Sequence, residues 1–323
     1  EAGLSHAVPY LIASASKLVS GYVMWSLIEE GLLSLDTHPG DVLDWWTTDP
    51  ADKRSAVTVS DLMTMSDGMG SFANGIGTCT ADTVLGCAQE AYNIAFDNHE
   101  RYPLTGAPEE GEDKFHYGET KWFVLGAMAM QVTGLPTYNE VFHAKLGNRL
   151  GITANCTFSY PTIASALPGG GLVCSMDDYH KFLIAVFTKT VVSADLVDFA
   201  EMPATMLKGI EHDSWNPDMV WAEYLYYGHA MWVECAARGC TGAPKKISSK
   251  GALGWYPYVW RNGTESHWGT LGHVLVGAGR LSSLDDPMRG YAATKRQFRN
   301  TFPRVKAAIA GMHGGAPHPP ATP

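Results

Sequence analysis

The chain has a helix-forming front and a strand-forming end, and this order constrains its fold more than any other feature. Residues 14–30 and 120–133 are apolar stretches of helical length, each followed by a glycine that can end a helix. Residues 225–235 and 250–278 carry the aromatic and β-branched residues that are typical of strands. Helices followed by strands predict an α+β fold, with an antiparallel sheet flanked by helices.

The middle of the chain predicts a mostly helical, loop-rich region. Residues 36–112 are rich in Asp, Gly, Pro and Thr, which indicates loops with short helical pieces such as VSDLMTMS. Another helix is expected over about 138–150, and Ser175 followed by Asp178 has the S-x-x-D pattern of a capping box at a helix start. We expect this region, about 36–200, to be an insertion within one domain.

The end of the chain predicts one more helix and a tail. Residues 288–310 indicate a basic terminal helix that is interrupted at Pro303. The final stretch, GGAPHPPATP, has the composition of a disordered segment. We therefore expect a single domain over residues 1–312 and a disordered tail over residues 313–323.

The charge pattern argues against two classes of partner. The net charge is −10, and no run of Lys and Arg exceeds two residues. Because nucleic acids and anionic membranes attract basic surfaces, neither is expected as a partner. No apolar stretch reaches the roughly 18 residues that a membrane-spanning helix needs.

The order of the six cysteines indicates three local pairs, although six cysteines allow about fifteen connectivities. Those pairs are Cys79–Cys87, Cys156–Cys174 and Cys235–Cys240. None of the cysteines forms a C-x-x-C pair, which argues against a structural zinc site. Six buried free thiols in a cytosolic protein remain the alternative.

Two N-glycosylation sequons and the even number of cysteines both indicate an oxidising, secretory compartment. The sequons are Asn155-Cys156-Thr157 and Asn262-Gly263-Thr264, both in polar, turn-like contexts. We therefore expect a secreted protein or one in the lumen of the secretory pathway. The first residues, EAGLSHAVPY, lack the charged start and apolar run of a signal peptide, so we expect that the chain begins after processing or is incomplete.

Ser14 and Lys17 form an S-x-x-K pattern, which can pair a nucleophilic serine with a basic amine. Serine is a poor nucleophile unless a nearby base takes its proton. On a helix the lysine lies one turn beyond the serine on the same face, and burial makes a lysine easier to deprotonate. Helix N-terminal amides also favour a developing anion. The pattern arises about once by chance in a chain of this composition, so its context decides its weight.

The surrounding blocks supply that context. The stretch YLIASASKLVSGYVMWSLIEEGLLSLD resembles the active-site helix of serine β-lactamases and penicillin-binding-protein-like hydrolases. Further blocks resemble the same family in the same order: LMTMSDGMG, FHYGETKWFVLGAMAMQVTG, GGGLVCSMDDYHKFL, YGHAMWVE and SSKGALGWYPYVW. Together they span residues 10 to about 278. The resemblance, to class C β-lactamases and to esterase and D-peptidase relatives, implies a β-lactamase-like fold.

The resemblance also implies catalytic roles. Ser14 would be acylated, Lys17 would help to deprotonate it, and Tyr117 matches the tyrosine of the Y-x-N motif that passes a proton to the leaving group. Glu119 stands where the family often has asparagine. This departure affects substrate positioning, because an ionised carboxylate accepts hydrogen bonds and cannot donate them.

The third motif of the family, K-T-G or H-x-G, has two candidate positions. Ser249-Lys250-Gly251 fits the order of the strands, with Ser249 in place of the usual lysine or histidine. Gly251 would let substrate approach the strand, and the amide of Ala252 would form an oxyanion hole with that of Ser14. The alternative is His267-Trp268-Gly269, a literal H-x-G that leaves no room for a partner strand before the terminal helix. We expect residues 249–252 to form the strand edge beside Ser14, with His267 on the neighbouring strand.

The front of the chain departs from the family. Relatives carry two sheet strands before S-x-x-K, whereas thirteen residues precede Ser14 here. The N-terminal strands are therefore missing from the given sequence, for one of three reasons: the segment is supplied elsewhere, it is not included in this chain, or the chain has lost one edge of its sheet. In the last case the edge would be open, and a partner chain could cover it.

Other patterns do not support further chemistry. His116 and Glu119 have i, i+3 spacing but no third metal ligand, so no metal site is expected. Gly169-Gly170-Gly171 is not followed by the Lys-Ser/Thr of a phosphate loop. The site that the resemblance implies needs neither a metal nor an organic cofactor.

The leading hypothesis is a serine hydrolase that acts through an acyl-enzyme on a small ester, amide or D-amino-acid peptide. The altered second and third motifs make esterase or peptidase activity a better expectation than efficient β-lactam hydrolysis. Glu119, Ser249 and the missing strands favour a different hypothesis, a catalytically inactive scaffold that serves as a binding or assembly subunit. A metal-dependent hydrolase is a third and weaker alternative.

Overall fold

The computed structural model describes residues 6–70, 79–94, 115–208, 224–235, 237–241, 245–251, 253, 255–263 and 266–271. Within these residues, helices precede the main sheet along the chain, as the sequence predicts. The α-helices are α1 (Ser16–Glu29), α2 (Val59–Thr64), α3 (Val84–Ile94), α4 (Thr120–Thr133), α5 (Tyr138–Phe142), α6 (Met176–Phe187), α7 (Ala194–Ala200) and α8 (Ala204–Leu207). None of the described helices is long and apolar enough to cross a membrane.

The main sheet is antiparallel and has five described strands in the order β4-β5-β6-β7-β8. They are β4 (Tyr224–Tyr227), β5 (Trp232–Cys235), β6 (Lys245–Ser248), β7 (Tyr256–Arg261) and β8 (His267–Leu271). In the register of the sheet, Glu234 of β5 lies opposite Lys246 of β6, which in turn lies opposite Trp260 of β7. Because side chains alternate between the faces of a sheet, these three share one face.

A second, smaller sheet joins the start of the chain to its middle. Strands β1 (Tyr10–Leu11), β3 (Leu172–Cys174) and β2 (Cys156–Phe158) are antiparallel in that order. The sequence did not predict this sheet, because strands of two or three residues carry too little alternation to be recognised. The sheet fixes the segment that precedes Ser14 against the segment that follows the Gly169–Gly171 run.

Helix α1 lies at the centre of the core. Every residue from Ser16 to Leu27 is buried, including the polar side chains of Ser16, Lys17 and Ser20. A helix that is buried on all sides needs partners for its polar groups, since an unpaired buried polar group costs several kcal/mol. The partners of Lys17 and Ser16 define the candidate site described below.

Most of the predicted helices are confirmed at or near their expected bounds. Helix α4 covers the predicted residues 120–133, and the predicted helix over 14–30 is a 3₁₀ turn, Ala13–Ala15, followed by α1. The cap of α6 is also confirmed, because the Ser175 hydroxyl accepts a hydrogen bond from the Asp178 amide at 3.2 Å. The predicted helix over 138–150 instead divides into α5 and a π-helical turn, His143–Gly147.

The strand predictions need one correction. The sequence placed a strand from residue 250 onward, whereas β6 ends at Ser248 and residues 249–251 belong to neither β6 nor β7. The short strand KKIS was not predicted, because two consecutive lysines interrupt the alternation of polar and apolar residues that indicates a strand. The predicted strand residues 272–278, the terminal helix and the tail over 313–323 lie outside the described residues.

The predicted cysteine pairing is confirmed. Disulfides join Cys79 to Cys87, Cys156 to Cys174 and Cys235 to Cys240. The second of these links the ends of β2 and β3, where the two cysteines lie directly opposite each other. The third closes the connection that leads from β5 towards β6.

A buried carboxylate ties the end of α7 to the main sheet. Glu201 is fully buried, and it accepts hydrogen bonds from Arg261 at 2.8 and 3.2 Å. The ammonium group of Lys245 lies 3.3 Å from the same carboxylate. Removing one partner of a buried ion pair leaves the others uncompensated, which is far more costly than losing an exposed pair.

We expect Glu201→Gln to lower the free energy of unfolding by about 3–5 kcal/mol, because it leaves Arg261 and Lys245 without a counter-charge. Asp198→Asn is the matched control, since Asp198 forms a surface pair with Lys189 and its side chain is 55% exposed. That change should cost no more than about 1 kcal/mol. Chemical denaturation of the two variants measures the difference, and equal losses would contradict the assigned role of Glu201.

Candidate active site

Ser14 lies in a strained turn at the start of α1, in the 3₁₀ helix Ala13–Ala15. Ala13 adopts a φ of 49°, a left-handed conformation that a residue with a Cβ rarely takes. Such strain costs on the order of 1–3 kcal/mol and persists only where neighbouring groups hold it. Ser14 itself is partly exposed, unlike the buried residues that follow it.

Three hydroxyl groups stabilise this turn. Each donates a hydrogen bond to the backbone carbonyl group of a different residue of the turn. Ser16 donates to the Ala13 carbonyl at 2.6 Å, Ser249 donates to the Ser14 carbonyl at 2.9 Å, and Tyr179 donates to the Ala15 carbonyl at 3.1 Å. The Ser16 hydroxyl also accepts a hydrogen bond from the Leu172 amide at 3.1 Å. The turn is therefore fixed by residues from α1, α6, β3 and the segment after β6.

Lys17 lies one helical turn beyond Ser14, and its side chain is only 2% exposed. Its ammonium group donates to three acceptors: Ser14 Oγ at 3.4 Å, Glu119 Oε2 at 3.3 Å and the Gly169 carbonyl at 2.9 Å. Lys17 thus brings together residues that the sequence places far apart. The distance to Ser14 is long for a hydrogen bond, as is common in catalytic sites without a bound substrate.

Glu119 occupies the last position before α4 and is as deeply buried as Lys17. Its Oε1 accepts a hydrogen bond from the Gly169 amide at 2.6 Å. Burial raises the pKa of Glu119, although the Lys17 charge and the Gly169 amide oppose that effect. Glu119 therefore contacts Lys17 and a backbone amide, and its role in positioning substrate stays a prediction.

Tyr117 lies beside the same ammonium group, with its ring centroid 4.9 Å from Lys17 Nζ. A cation over an aromatic face is an attractive contact. The other neighbours of Tyr117 form an aromatic wall: its ring stacks on Trp232 at 5.5 Å and meets Tyr227 edge to face at 6.1 Å. The structure therefore gathers Ser14, Lys17, Tyr117 and Glu119 at one place.

Of the two candidate third motifs, Ser249-Lys250-Gly251 lies against the Ser14 turn. Its Ser249 hydroxyl contacts the Ser14 carbonyl, as described above. A Cβ atom on Gly251 would lie 2.2 Å from the Ile12 carbonyl oxygen, so a glycine is required here for close packing against the segment before Ser14. Ala252, the predicted oxyanion donor, lies outside the described residues.

His267 lies farther from Ser14 in the sheet. It is the first residue of β8, and β7 separates β8 from β6. The expectation that His267 lies on the strand next to the Ser249 segment is therefore wrong. The backbone position of His267 is described, whereas its side chain is not.

A buried charged cluster lies next to the Ser249 segment. Glu234 is fully buried, with Lys246 Nζ at 2.7 Å and Lys250 Nζ at 3.4 Å from its carboxylate. Ser248 and Tyr256 donate to the same carboxylate at 3.0 and 3.1 Å. Burial raises the pKa of Glu234, but the two ammonium groups outweigh burial and hold that pKa below its usual value. Burial also lowers the pKa of Lys246 to about 7.

Three contributors to the site were not found from the sequence. In the sequence, Ser16 fills a variable position of the S-x-x-K pattern, Trp232 lies in a predicted strand region, and Gly169 begins a glycine run that does not match a phosphate loop. A Cβ atom on Gly169 would lie 2.5 Å from Glu119 Oε2 and 2.7 Å from the Trp122 ring, which explains why glycine stands there. The run of three glycines after a proline was the one available signal, since it indicates a close approach of the backbone.

The described residues contain no group of three or more His, Cys, Asp or Glu side chains arranged to hold a metal ion. In particular, Glu119 is paired with Lys17 and Gly169. The chemistry available from the described groups is that of a hydroxyl, an amine, a carboxylate and a phenol. Such a set can transfer protons to and from a serine nucleophile.

The β-lactamase family model matches residues 6–263, and the chain belongs to this family. The match begins before Ser14 and ends beyond β7, so it covers the candidate site and most of both sheets. No curated protein matches the chain at a significant level.

Solved structures share the fold at low sequence identity. A protein from Bacteroides dorei DSM 17855, provisionally assigned as a β-lactamase, is 17% identical with a TM-score of 0.68, covering 91% of this chain and 88% of its own. The D-amino acid amidase of Ochrobactrum anthropi SV3 is 16% identical with a TM-score of 0.57, and the match covers 92% of this chain and 86% of the amidase. A penicillin-binding protein from Bacillus halodurans is 18% identical with a TM-score of 0.54, and the match covers 79% of this chain and 77% of that protein.

We expect Ser16→Ala to slow any reaction of Ser14 and to lower stability by about 1–3 kcal/mol, because the Leu172 amide is left without its acceptor. Ser175→Ala is the control: it removes a buried hydroxyl of similar energetic worth, about 1 kcal/mol, at the N-cap of α6. Thermal unfolding measures stability, and covalent labelling of Ser14 measures reactivity. Unchanged labelling in Ser16→Ala would show that the turn does not depend on this hydroxyl.

Proposed function

We propose that the protein is a serine hydrolase that acts through an acyl-enzyme on a small ester, amide or D-amino-acid peptide. The observation that carries this proposal is the Lys17 amine, which lies 3.4 Å from Ser14 Oγ and 4.9 Å from the Tyr117 ring. A serine beside a buried amine and a phenol has the groups that acyl transfer needs. A D-amino acid amidase and a penicillin-binding protein share the fold, but a fold alone does not fix a substrate, so the substrate class is part of the proposal.

In this proposal each group has one role. Ser14 Oγ attacks the carbonyl carbon, Lys17 takes the Ser14 proton, and Tyr117 passes a proton to the leaving group. The amides of Ser14 and Ala252 would hold the oxyanion, because negative charge develops there in the tetrahedral transition state. Water then hydrolyses the acyl-enzyme and frees Ser14.

Ser249 acts differently from the lysine or histidine that it replaces. Its hydroxyl donates to the Ser14 carbonyl, so it orients the nucleophile turn and does not present a charge to substrate. Lys250 is the nearest cation in the motif, and it faces Glu234. Among the described residues of this motif none presents an exposed cation, which favours neutral esters and amides over substrates that carry a carboxylate.

The inactive-scaffold hypothesis has one observation in its favour. Three oxygen atoms surround the Lys17 amine, those of Ser14, Glu119 and Gly169, and together they would satisfy all three donors of an ammonium ion. An ammonium ion cannot act as a base, so a Lys17 held in that form would leave Ser14 unreactive and the protein would bind ligands without turning them over. Labelling of Ser14 separates the two functions.

We expect a fluorophosphonate probe to label the wild-type protein once, with the adduct mapped to Ser14. Ser14→Ala should abolish labelling, and Lys17→Ala should slow it on the order of 100- to 10,000-fold because the general base is lost. His267→Ala is the control and should have a mild effect, since β7 separates its strand from β6. An effect of His267→Ala as large as that of Ser14→Ala would identify His267-Trp268-Gly269 as the true third motif.

We also propose a secretory location and one glycan at Asn155, which is exposed in the turn before β2. Disulfides persist in oxidising compartments, and three disulfides in a chain of this size fit that environment. Peptide mapping of the protein without reduction, from its native compartment, should recover all three bridges. Free thiols at the six positions would reject the secretory assignment.

A further inference from the structure

The three oxygen atoms around Lys17 suit an ammonium ion, and an ammonium ion sets a problem for the proposed reaction. An ammonium group has three N–H donors, and Lys17 uses one each for Ser14 Oγ, Glu119 Oε2 and the Gly169 carbonyl. A lysine in this state has no lone pair with which to take the Ser14 proton. Lys17 must therefore lose a proton before Ser14 can attack.

Of the three acceptors, only one can take that proton at neutral pH. The Gly169 carbonyl and the Ser14 hydroxyl are far too weakly basic, whereas a carboxylate is readily protonated. Glu119 Oε2 lies 3.3 Å from Lys17 Nζ, so the transfer needs only a slight approach of the two groups. The other oxygen of Glu119 is held by the Gly169 amide at 2.6 Å, which keeps Oε2 directed at Lys17.

The surroundings of the pair favour such a transfer. Both side chains are 2% exposed, and burial disfavours two full charges relative to a neutral amine and a neutral acid. Burial also raises the pKa of Glu119 and so brings its basicity nearer to that of an amine. An amide side chain at position 119 could accept a hydrogen bond from Lys17 but could never take its proton.

We propose that Glu119 is the proton acceptor that converts Lys17 from an ammonium ion to an amine before Ser14 attacks. This inference rests on the proposed serine hydrolase function and gives a role to the residue that departs from the family pattern. Glu119 acts through Lys17 and does not touch the reacting carbonyl carbon. It is therefore a proton-holding partner of the base.

The proposed steps balance in protons and charge. One proton first moves from Lys17 Nζ to Glu119 Oε2, which leaves an amine and a carboxylic acid. Ser14 Oγ then bonds to the carbonyl carbon while its proton moves to Lys17. As the bond to the leaving group breaks, the leaving group takes a proton from Lys17, through Tyr117, and Glu119 returns its proton to Lys17.

The experiment compares an amide with an acid at position 119. The Ser14 acylation rate is measured from acidic to alkaline pH with a nitrophenyl ester, whose leaving group needs no proton. Glu119→Gln keeps the shape of the side chain and removes its basicity. Asp67→Asn is the matched control, because Asp67 is a fully buried carboxylate 3.6 Å from Lys121 on α4 and does not contact Lys17.

At neutral pH we expect Glu119→Gln to acylate on the order of 100- to 10,000-fold more slowly than the wild type. The remaining reaction should shift to alkaline pH, because Lys17 must then lose its proton to solvent. In the wild type the rate should fall on the acidic side as Glu119 becomes protonated, since the pair then holds two protons and has no base. Asp67→Asn should give no alkaline shift even where it lowers stability, because it leaves Lys121 uncompensated and that charge disfavours a second ammonium ion at Lys17.

Two results would overturn the inference while leaving the proposed function intact. One is a Glu119→Gln protein that acylates at neutral pH as fast as the wild type or faster, which would show that Glu119 only holds the ammonium ion. The other is an alkaline shift of equal size in Asp67→Asn, which would assign the effect to lost packing. A wild-type Ser14 that is not acylated at any pH would reject the proposed function together with this inference.

A second pair of variants covers the case in which Glu119→Gln does not fold. Glu119→Asp and Glu119→Asn have the same length, and one is an acid while the other is an amide. The acid should retain acylation at neutral pH, and the amide should show the alkaline shift. Equal profiles for the two variants would contradict a proton-accepting role at this position.

Discussion

The site is built around the burial of one charge, the ammonium group of Lys17. A lysine taken out of water needs acceptors for all its protons, and an unpaired one would cost several kcal/mol. The chain supplies these acceptors from the turn that holds Ser14, from the residue before α4 and from the loop before β3. Glu119 is 102 residues and Gly169 is 152 residues from Lys17 in sequence, so satisfying this one group fixes three distant segments together.

The strained turn at Ser14 follows from the same arrangement. The left-handed Ala13 is held because the three carbonyl groups of the turn accept hydroxyl protons from Ser16, Ser249 and Tyr179. These hydroxyl groups come from α1, the end of β6 and α6, so the turn forms only when helices and main sheet have come together. The position of the Ser14 hydroxyl therefore depends on several elements of the fold, and this kind of support keeps a site in its reactive geometry before substrate binds.

The elements that the sequence predicted are those whose signal is local. Helix α4 is a long apolar run ended by Gly134, and Ser175 with Asp178 forms a cap within four residues. The three disulfides join cysteines that are near neighbours in sequence. Ser14, Lys17 and Tyr117 were predicted as site residues because the sequence blocks around them resemble the family, since the S-x-x-K spacing alone arises about once by chance.

What could not be predicted depends on contacts across the chain. The small sheet of β1, β2 and β3 has strands too short for a periodic signal. Ser16, Gly169 and Ser249 act through hydrogen bonds to backbone groups, and such bonds leave no pattern in the sequence. Glu119 was recognised as a departure from the family, but its pairing with Lys17 became clear only from the three-dimensional arrangement.

The most direct test of the account is a crystal structure of the protein after reaction with a fluorophosphonate. We predict continuous density from Ser14 Oγ to the phosphorus atom, with Lys17 Nζ still between Ser14 and Glu119 and the Tyr117 ring beside it. An unmodified Ser14 in protein exposed to excess reagent, or an adduct on any other residue, would contradict the assignment of this site as a serine hydrolase centre.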